Sequence, residues 1–191
     1  NYRLNVFSFM CHPEITAEAP DAPANFGLLD QRAGLLWVRR NIAAFGGDPD
    51  NITIGGQSAG GGSVMFHLTS PLNEGLFQKA IVMSGVFPDP YRNHRLPGSG
   101  KTLPEAEDEG VRFFEFLGVK SLDEARRLDG EYIRLKALEY RKFWGPVVDN
   151  RLIVGEPLRL FTKNRRQMVP VFWGHTSSEF YSGPRAETLD E

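Results

Sequence analysis

The sequence contains one cysteine, Cys11, so it can form neither a disulfide within the chain nor a thiolate zinc cage. It has no apolar run of about 18 residues, which excludes a hydrophobic membrane-spanning helix. Neither sign of charge is in excess. The 22 Lys+Arg stand against 24 Asp+Glu, a formal net charge of -2, which leaves no general electrostatic pull toward nucleic acid or anionic lipid. The 20 Gly and 13 Pro follow no repeat, so collagen-like and low-complexity readings fail. What is there is a chain of 191 residues, 41% hydrophobic and 12% aromatic, enough for one domain with a substantial core and at most two small ones.

The first residue is Asn1 rather than Met, and Thr188-Leu189-Asp190-Glu191 reads as the opening turn of a helix. On this reading both ends are cut, the chain is an internal piece of a longer protein, and its location is open.

Along the chain, Val6-Phe7-Ser8-Phe9 reads as an opening strand, followed by a loop from Cys11 to Asn25 rich in Pro, Ala and acidic residues. Leu28, Leu29, Ala33, Leu36, Val38, Ile42 and Phe45 fall near helical spacing, and Gly46-Gly47 stops that helix. A short strand, Ile52-Thr53-Ile54, leads into a tight turn over Gly55–Gly60 and a helix to about Leu68. A second buried strand, Ala80–Met83, ends at Ser84-Gly85, and a Pro/Gly-rich loop spans Pro88–Pro104. Helices are expected over Glu105–Leu117, after the capping-box spacing Ser121–Glu124, over Glu131–Tyr140 and near Pro157–Lys163. A strand over Val169–Trp173 follows. Strands alternating with helices predict an α/β fold, a mostly parallel sheet with helices on both faces, and the helix-rich block at about 104–142 reads as an insertion.

Gly56-Gln57-Ser58-Ala59-Gly60 fits G-x-S-x-G, with a strand before it and a helix after it. A strand must deliver such a serine and a helix must leave it, so that a strained turn lifts Oγ above the carboxyl edge of the sheet. Flanking glycines are expected where neighbouring backbone packs closely. The Ala59 N–H, with the helix N-terminus behind it, is placed to meet a developing oxyanion. The bland alternative is a glycine-rich turn carrying a solvated serine.

Several runs resemble the type-B carboxylesterases, the cholinesterase-like branch of the α/β-hydrolases. They are Asn1–Leu4, Asn25–Arg32, Phe45–Pro49, Gly56–Gly61 and Gly75–Ile81. The resemblance covers essentially the whole chain and implies the central part of a single α/β-hydrolase domain, with its N- and C-terminal parts outside 1–191. It implies ester hydrolysis through an acyl-enzyme and a Ser–Glu–His triad, without metal or organic cofactor. Ser58 would be the nucleophile, Ala59 one oxyanion donor, and Glu179, after the last predicted strand, the triad acid. That order, Ser before Glu before His, is the one α/β-hydrolases use. The resemblance also pairs Arg3 with Asp30, expected as a buried ion pair.

The chain departs from the family pattern in having Asn5 and Ser8 where glycine is usual. The glycine-rich oxyanion loop would precede Asn1 and the catalytic histidine would follow Glu191. None of His12, His67, His94 and His175 matches that histidine, and each reads as structural or exposed. Gly98-Ser99-Gly100-Lys101-Thr102 ends like a phosphate-binding loop, but Arg95 stands where the pattern needs Gly, and Pro104 argues against a helix directly after it. Asn51-Ile52-Thr53 is a glycosylation sequon in an expected buried strand, and Lys163–Arg166 reads as a charged helix end. The expected ligand is a small carboxylic ester, with no nucleic acid partner. Two alternatives stay open: a serine peptidase of the same fold, and a cholinesterase-like adhesion module without activity.

Overall fold

The computed structural model describes residues 1–85 and 101–176. It begins with α1 (Val6–Phe9), α2 (Pro13–Glu18) and α3 (Phe26–Asn41), whose end tightens into a 3-10 helix at Ile42–Phe45. Next come β1 (Thr53–Gln57), α4 (Ala59–Thr69) and β2 (Lys79–Met83). The second described stretch holds β3 (Lys101–Thr102), α5 (Leu103–Leu117), α6 (Leu122–Arg126) and α7 (Gly130–Tyr140). It ends with β4 (Val147–Val148), α8 (Pro157–Thr162) and β5 (Val171–Gly174).

β1, β2 and β5 form a parallel sheet in the order β1-β2-β5, with Ile54, Ala80 and Val171 in register. The two-residue period turns Ile54, Ala80, Val82, Val171 and Trp173 to one face, where they pack with Val64, Met65 and Leu68 of α4 and Leu158 and Phe161 of α8. Leu35 and Val38 of α3 join the same core. The other face carries Met83 and Phe172, both exposed. Consecutive parallel strands need a crossover, and α4 provides it between β1 and β2.

The block from Leu103 to Tyr140 builds a separate core. Phe113, Leu117 and Ala137 pack with Val6 of α1 and Trp144, and Phe114 packs with Leu122 and Ala125; neither cluster includes a residue of β1, β2 or β5. Its helices are set by local chemistry. Thr102 and Glu105 form a reciprocal capping box, Ser121 accepts from the Glu124 N–H, and Asp129 accepts from two N–H groups of α7. Gly118, at φ 76°, ends α5 in the left-handed conformation that glycine adopts without a Cβ penalty.

Several expectations are corrected. Val6–Phe9 is one helical turn, not a strand. Its N–H groups find Asn5 and Val6 carbonyls locally, Val6 enters the aromatic core, and Ser8 Oγ accepts from the Gly27 N–H at 3.1 Å. The expected loop after Cys11 contains α2, started by His12 as cap and Pro13 in the first turn, a signal present in the sequence. Gly55-Gly56-Gln57 belong to β1, so the turn narrows to Ser58. Lys101–Thr102 pair with Val147–Val148 instead of lying in a loop, and Pro104 sits in the first turn of α5. A helix therefore does follow Lys101 directly; the lysine faces Glu109 at 4.0 Å, and Gly98–Gly100 lie outside the described residues. Asn51 is exposed ahead of β1, where its Oδ1 accepts from Lys79 Nζ at 2.7 Å, so the sequon is not in a buried strand.

Candidate active site

Ser58 stands between β1 and α4 with φ 55° and ψ -120°, a strained backbone for any residue with a Cβ. Two bonds hold it there. Its N–H donates to Met83 O at 2.9 Å, and its carbonyl accepts from the Gly62 N–H at 2.9 Å. The side chain is exposed, and among the described residues nothing hydrogen-bonds Ser58 Oγ. Ala59 opens α4, so its N–H has no acceptor inside the helix.

The turn is possible because backbone meets backbone. A Cβ on Gly56 would lie 2.3 Å from the Gly60 carbonyl group, and one on Gly85 would lie 2.3 Å from Gly61. A Cβ on Gly60 would meet nothing within 4 Å. Of the two flanking glycines, then, Gly56 is the one forced by space, while Gly60 supplies the wall. Gly61 and Gly85 are the constraint that the motif does not reveal; the Gly60-Gly61-Gly62 run and the glycine closing β2 were the available signal.

Gln57, Met83 and Gly174 are register partners, so Ser58, Ser84 and His175 each follow the same line at the carboxyl edge of the three strands. This edge is where active sites of open α/β sheets assemble. Ser84 repeats the positive φ, at 49°, and its N–H donates to Gly174 O at 2.8 Å. His175 is exposed, with Nδ1 3.2 Å from Thr176 O. Glu179 lies outside the described residues, as does His94.

The remaining sequence candidates sit elsewhere. His67 is buried within α4, and burial, with the nearby Arg32 charge, lowers its pKa to about 4, so it is neutral at pH 7. His12 is buried and stacked on Phe114. Burial, with Glu107 and Asp149 nearby, pushes the Cys11 thiol up to about 12, which makes it a poor nucleophile. Arg3 and Asp30 do meet, at 2.6 Å, but their side chains remain 53% and 26% exposed, so the pair is not buried. Among the described residues no cluster of three His, Cys, Asp or Glu could hold a metal ion. A cavity of about 810 Å³ is lined by residues that include Ser70, Gln78, Val169 and Pro170. Those residues precede β2 and β5, at the end of the sheet opposite Ser58.

The chain is 35% identical over 193 residues to the para-nitrobenzyl esterase of Bacillus subtilis, a match covering 95% of the chain and 36% of that protein. It is 39% identical over 163 residues to the acetylcholinesterase of Gallus gallus, covering 82% and 21% respectively. Among solved structures, the carboxylesterase EST55 of Geobacillus stearothermophilus superposes with a TM-score of 0.75 at 35% identity, over 94% of this chain and 36% of that one. The chain thus spans about a third or less of the length of these relatives, and its parallel sheet and elbow form part of an α/β-hydrolase fold. A profile of the carboxylesterase family matches residues 1–187, and the chain belongs to that family.

Proposed function

We propose that this chain is the central part of a serine carboxylic-ester hydrolase in which Ser58 is the nucleophile. The observation that carries the reading is Ser58 itself, held at positive φ on the carboxyl edge of three parallel strands with the first N–H of α4 beside it. Ser58 Oγ attacks the ester carbonyl carbon while a histidine beyond Glu191 takes its proton, with Glu179 orienting that histidine. The Ala59 N–H and donors from a segment before Asn1 hold the oxyanion. The histidine then protonates the leaving alcohol, and water releases the acid from the acyl-enzyme. The block at about 104–142 is an insertion in the same domain.

The test is made on the full-length protein. A fluorophosphonate probe should label Ser58, and Ser58→Ala should abolish both labelling and hydrolysis of a chromogenic short-chain ester. Labelling that survives Ser58→Ala would overturn the assignment, and turnover of peptides in preference to esters would make the enzyme a peptidase.

A further inference from the structure

Behind the elbow, a line of side chains joins three segments of the fold. Asn73 Nδ2 lies 2.9 Å from His67 Nδ1, and His67 Nε2 lies 2.9 Å from Gln31 Oε1. Gln31 Nε2 is 3.3 Å from Ser63 Oγ, which donates to Ala59 O at 3.0 Å. The sense of every bond follows from the last one. A carbonyl can only accept, so the Ser63 hydroxyl proton is spent on Ala59 O and Ser63 must accept from the Gln31 amide nitrogen. Gln31 then offers only its oxygen to His67, which must donate from Nε2 and accept at Nδ1. The chain therefore uses a neutral imidazole.

We propose that Ser63, Gln31 and His67 are positioning residues for Ser58, a relay that clamps the peptide following Ala59 to α3 and so fixes the first turn of α4. The proposal rests on Ser58 being the nucleophile. A serine that back-bonds to the carbonyl four residues earlier is common in helices and by itself does little. What differs here is that Ser63 is held in turn by Gln31 of α3 and by His67, whose side chain is buried and whose ring is tied down on both nitrogens. Loss of the clamp lets the elbow and the Ala59 N–H wander from their reacting geometry without removing any group that touches the substrate.

The experiment measures ester hydrolysis by the full-length protein. Ser63→Ala and Gln31→Met should each lower kcat by about tenfold, the scale expected when a reacting group is misplaced by a fraction of an ångström, with KM held within about twofold. The double variant should lose no more than either single one, because both cut one chain. Ser63→Thr, which keeps the hydroxyl, should restore the rate. Thr69→Val provides the contrast: Thr69 Oγ1 makes the same kind of bond, to Met65 O at 2.9 Å, but ten residues past Ala59 in α4, and its removal should leave kcat unchanged. A Ser63→Ala rate within about twofold of the unmodified protein overturns the inference, as does an equal loss in Thr69→Val. If the unmodified protein shows no turnover that depends on Ser58, the reading of the nucleophile fails first and the positioning role falls with it.

Discussion

Around Ser58 backbone packs on backbone at three glycines, whereas between Leu103 and Trp144 side chains do most of the packing. In that block, among the described residues, Gly110 against the Cys11 carbonyl is the one such backbone approach. The elbow depends on groups that are missing, since Gly56, Gly61 and Gly85 leave no room for a Cβ. The helical block depends on volume. Phe113 is fully buried, with the Trp144 ring at 5.1 Å and the Tyr140 ring at 5.2 Å, and Tyr140 Oη donates to Glu109 at 2.7 Å. The two regions should therefore fail differently. Damage to the block should reach the melting temperature first, and damage to the elbow should reach the reaction first.

The largest effect on stability is expected from Phe113→Ala, which removes the centre of the aromatic cluster and should cost about 3–5 kcal/mol. Thermal unfolding of the full-length protein checks it, and the variant that remains folded should still be labelled at Ser58 by a fluorophosphonate. A loss under about 1 kcal/mol would mean that the block can collapse onto the gap, and the contrast between the regions would weaken.

His67 is a buried titratable group in the sheet region, and its effect is set by pH. Burial holds its pKa at about 4 against an ordinary 6.5. A base whose pKa is lower in the folded state binds more protons when unfolded. Its contribution is thus fully present above about 6.5 and is lost as pH falls from there toward 4, by about 3 kcal/mol in all. Chemical denaturation at a series of pH values should show that slope, and His67→Gln, which cannot titrate, should flatten it. An unchanged slope would place the acid sensitivity in other groups.

Gly56→Ala separates the regions most sharply. The new Cβ would press on Gly60 backbone at 2.3 Å. Overpacking of this kind costs about 1–3 kcal/mol in stability. Because the displaced atoms adjoin Ser58, labelling should slow by about 10²-fold or more. Gly60→Ala, whose Cβ meets nothing within 4 Å, should be far milder. Equal damage from the two substitutions would contradict the division of labour drawn between them.

How much of this could be read beforehand follows the same division. Local chemistry was legible apart from the His12-Pro13 start of α2, which read as loop. The Gly118 stop, the Ser121 cap and the strand-turn-helix at Ser58 all lie where short-range rules place them. Contacts between distant segments were not. Nothing near Val6 announces that it will pack on Phe113 and Trp144, so its β-rich neighbours suggested a strand where one helical turn forms. Asn25 is a similar case. Its side chain accepts from the Val147 N–H and donates to Val147 O and Asp149 Oδ2, pairing with β4 like an extra strand residue across 122 positions. Gly85 was visible as the end of β2, but its role depends on Gly61 lying against it.

The smallest effect is expected at the seam between the regions, from Asp30→Asn. Arg3 precedes α1, which packs on the helical block, and Asp30 lies in α3, which packs on the sheet. The contact is bidentate, with Arg3 Nε and Nη2 donating to the two Asp30 oxygens at 2.8 and 2.6 Å, and the Arg3 backbone N–H adds a third bond at 2.9 Å. Hydrogen bonding by Arg3 holds the Asp30 carboxyl below its ordinary range, so the stabilisation is present near neutral pH and is lost as pH falls through that lowered value. A buried pair broken on one side would cost about 3–5 kcal/mol, because a charge would be stranded out of water. Here the Arg3 side chain is 53% exposed and would simply be solvated. Asp30→Asn keeps an acceptor for the Arg3 backbone N–H and should cost no more than about 1 kcal/mol, less at high salt. A larger and salt-insensitive loss would show that the seam is buried by the rest of the protein and that the two regions are locked together through this pair.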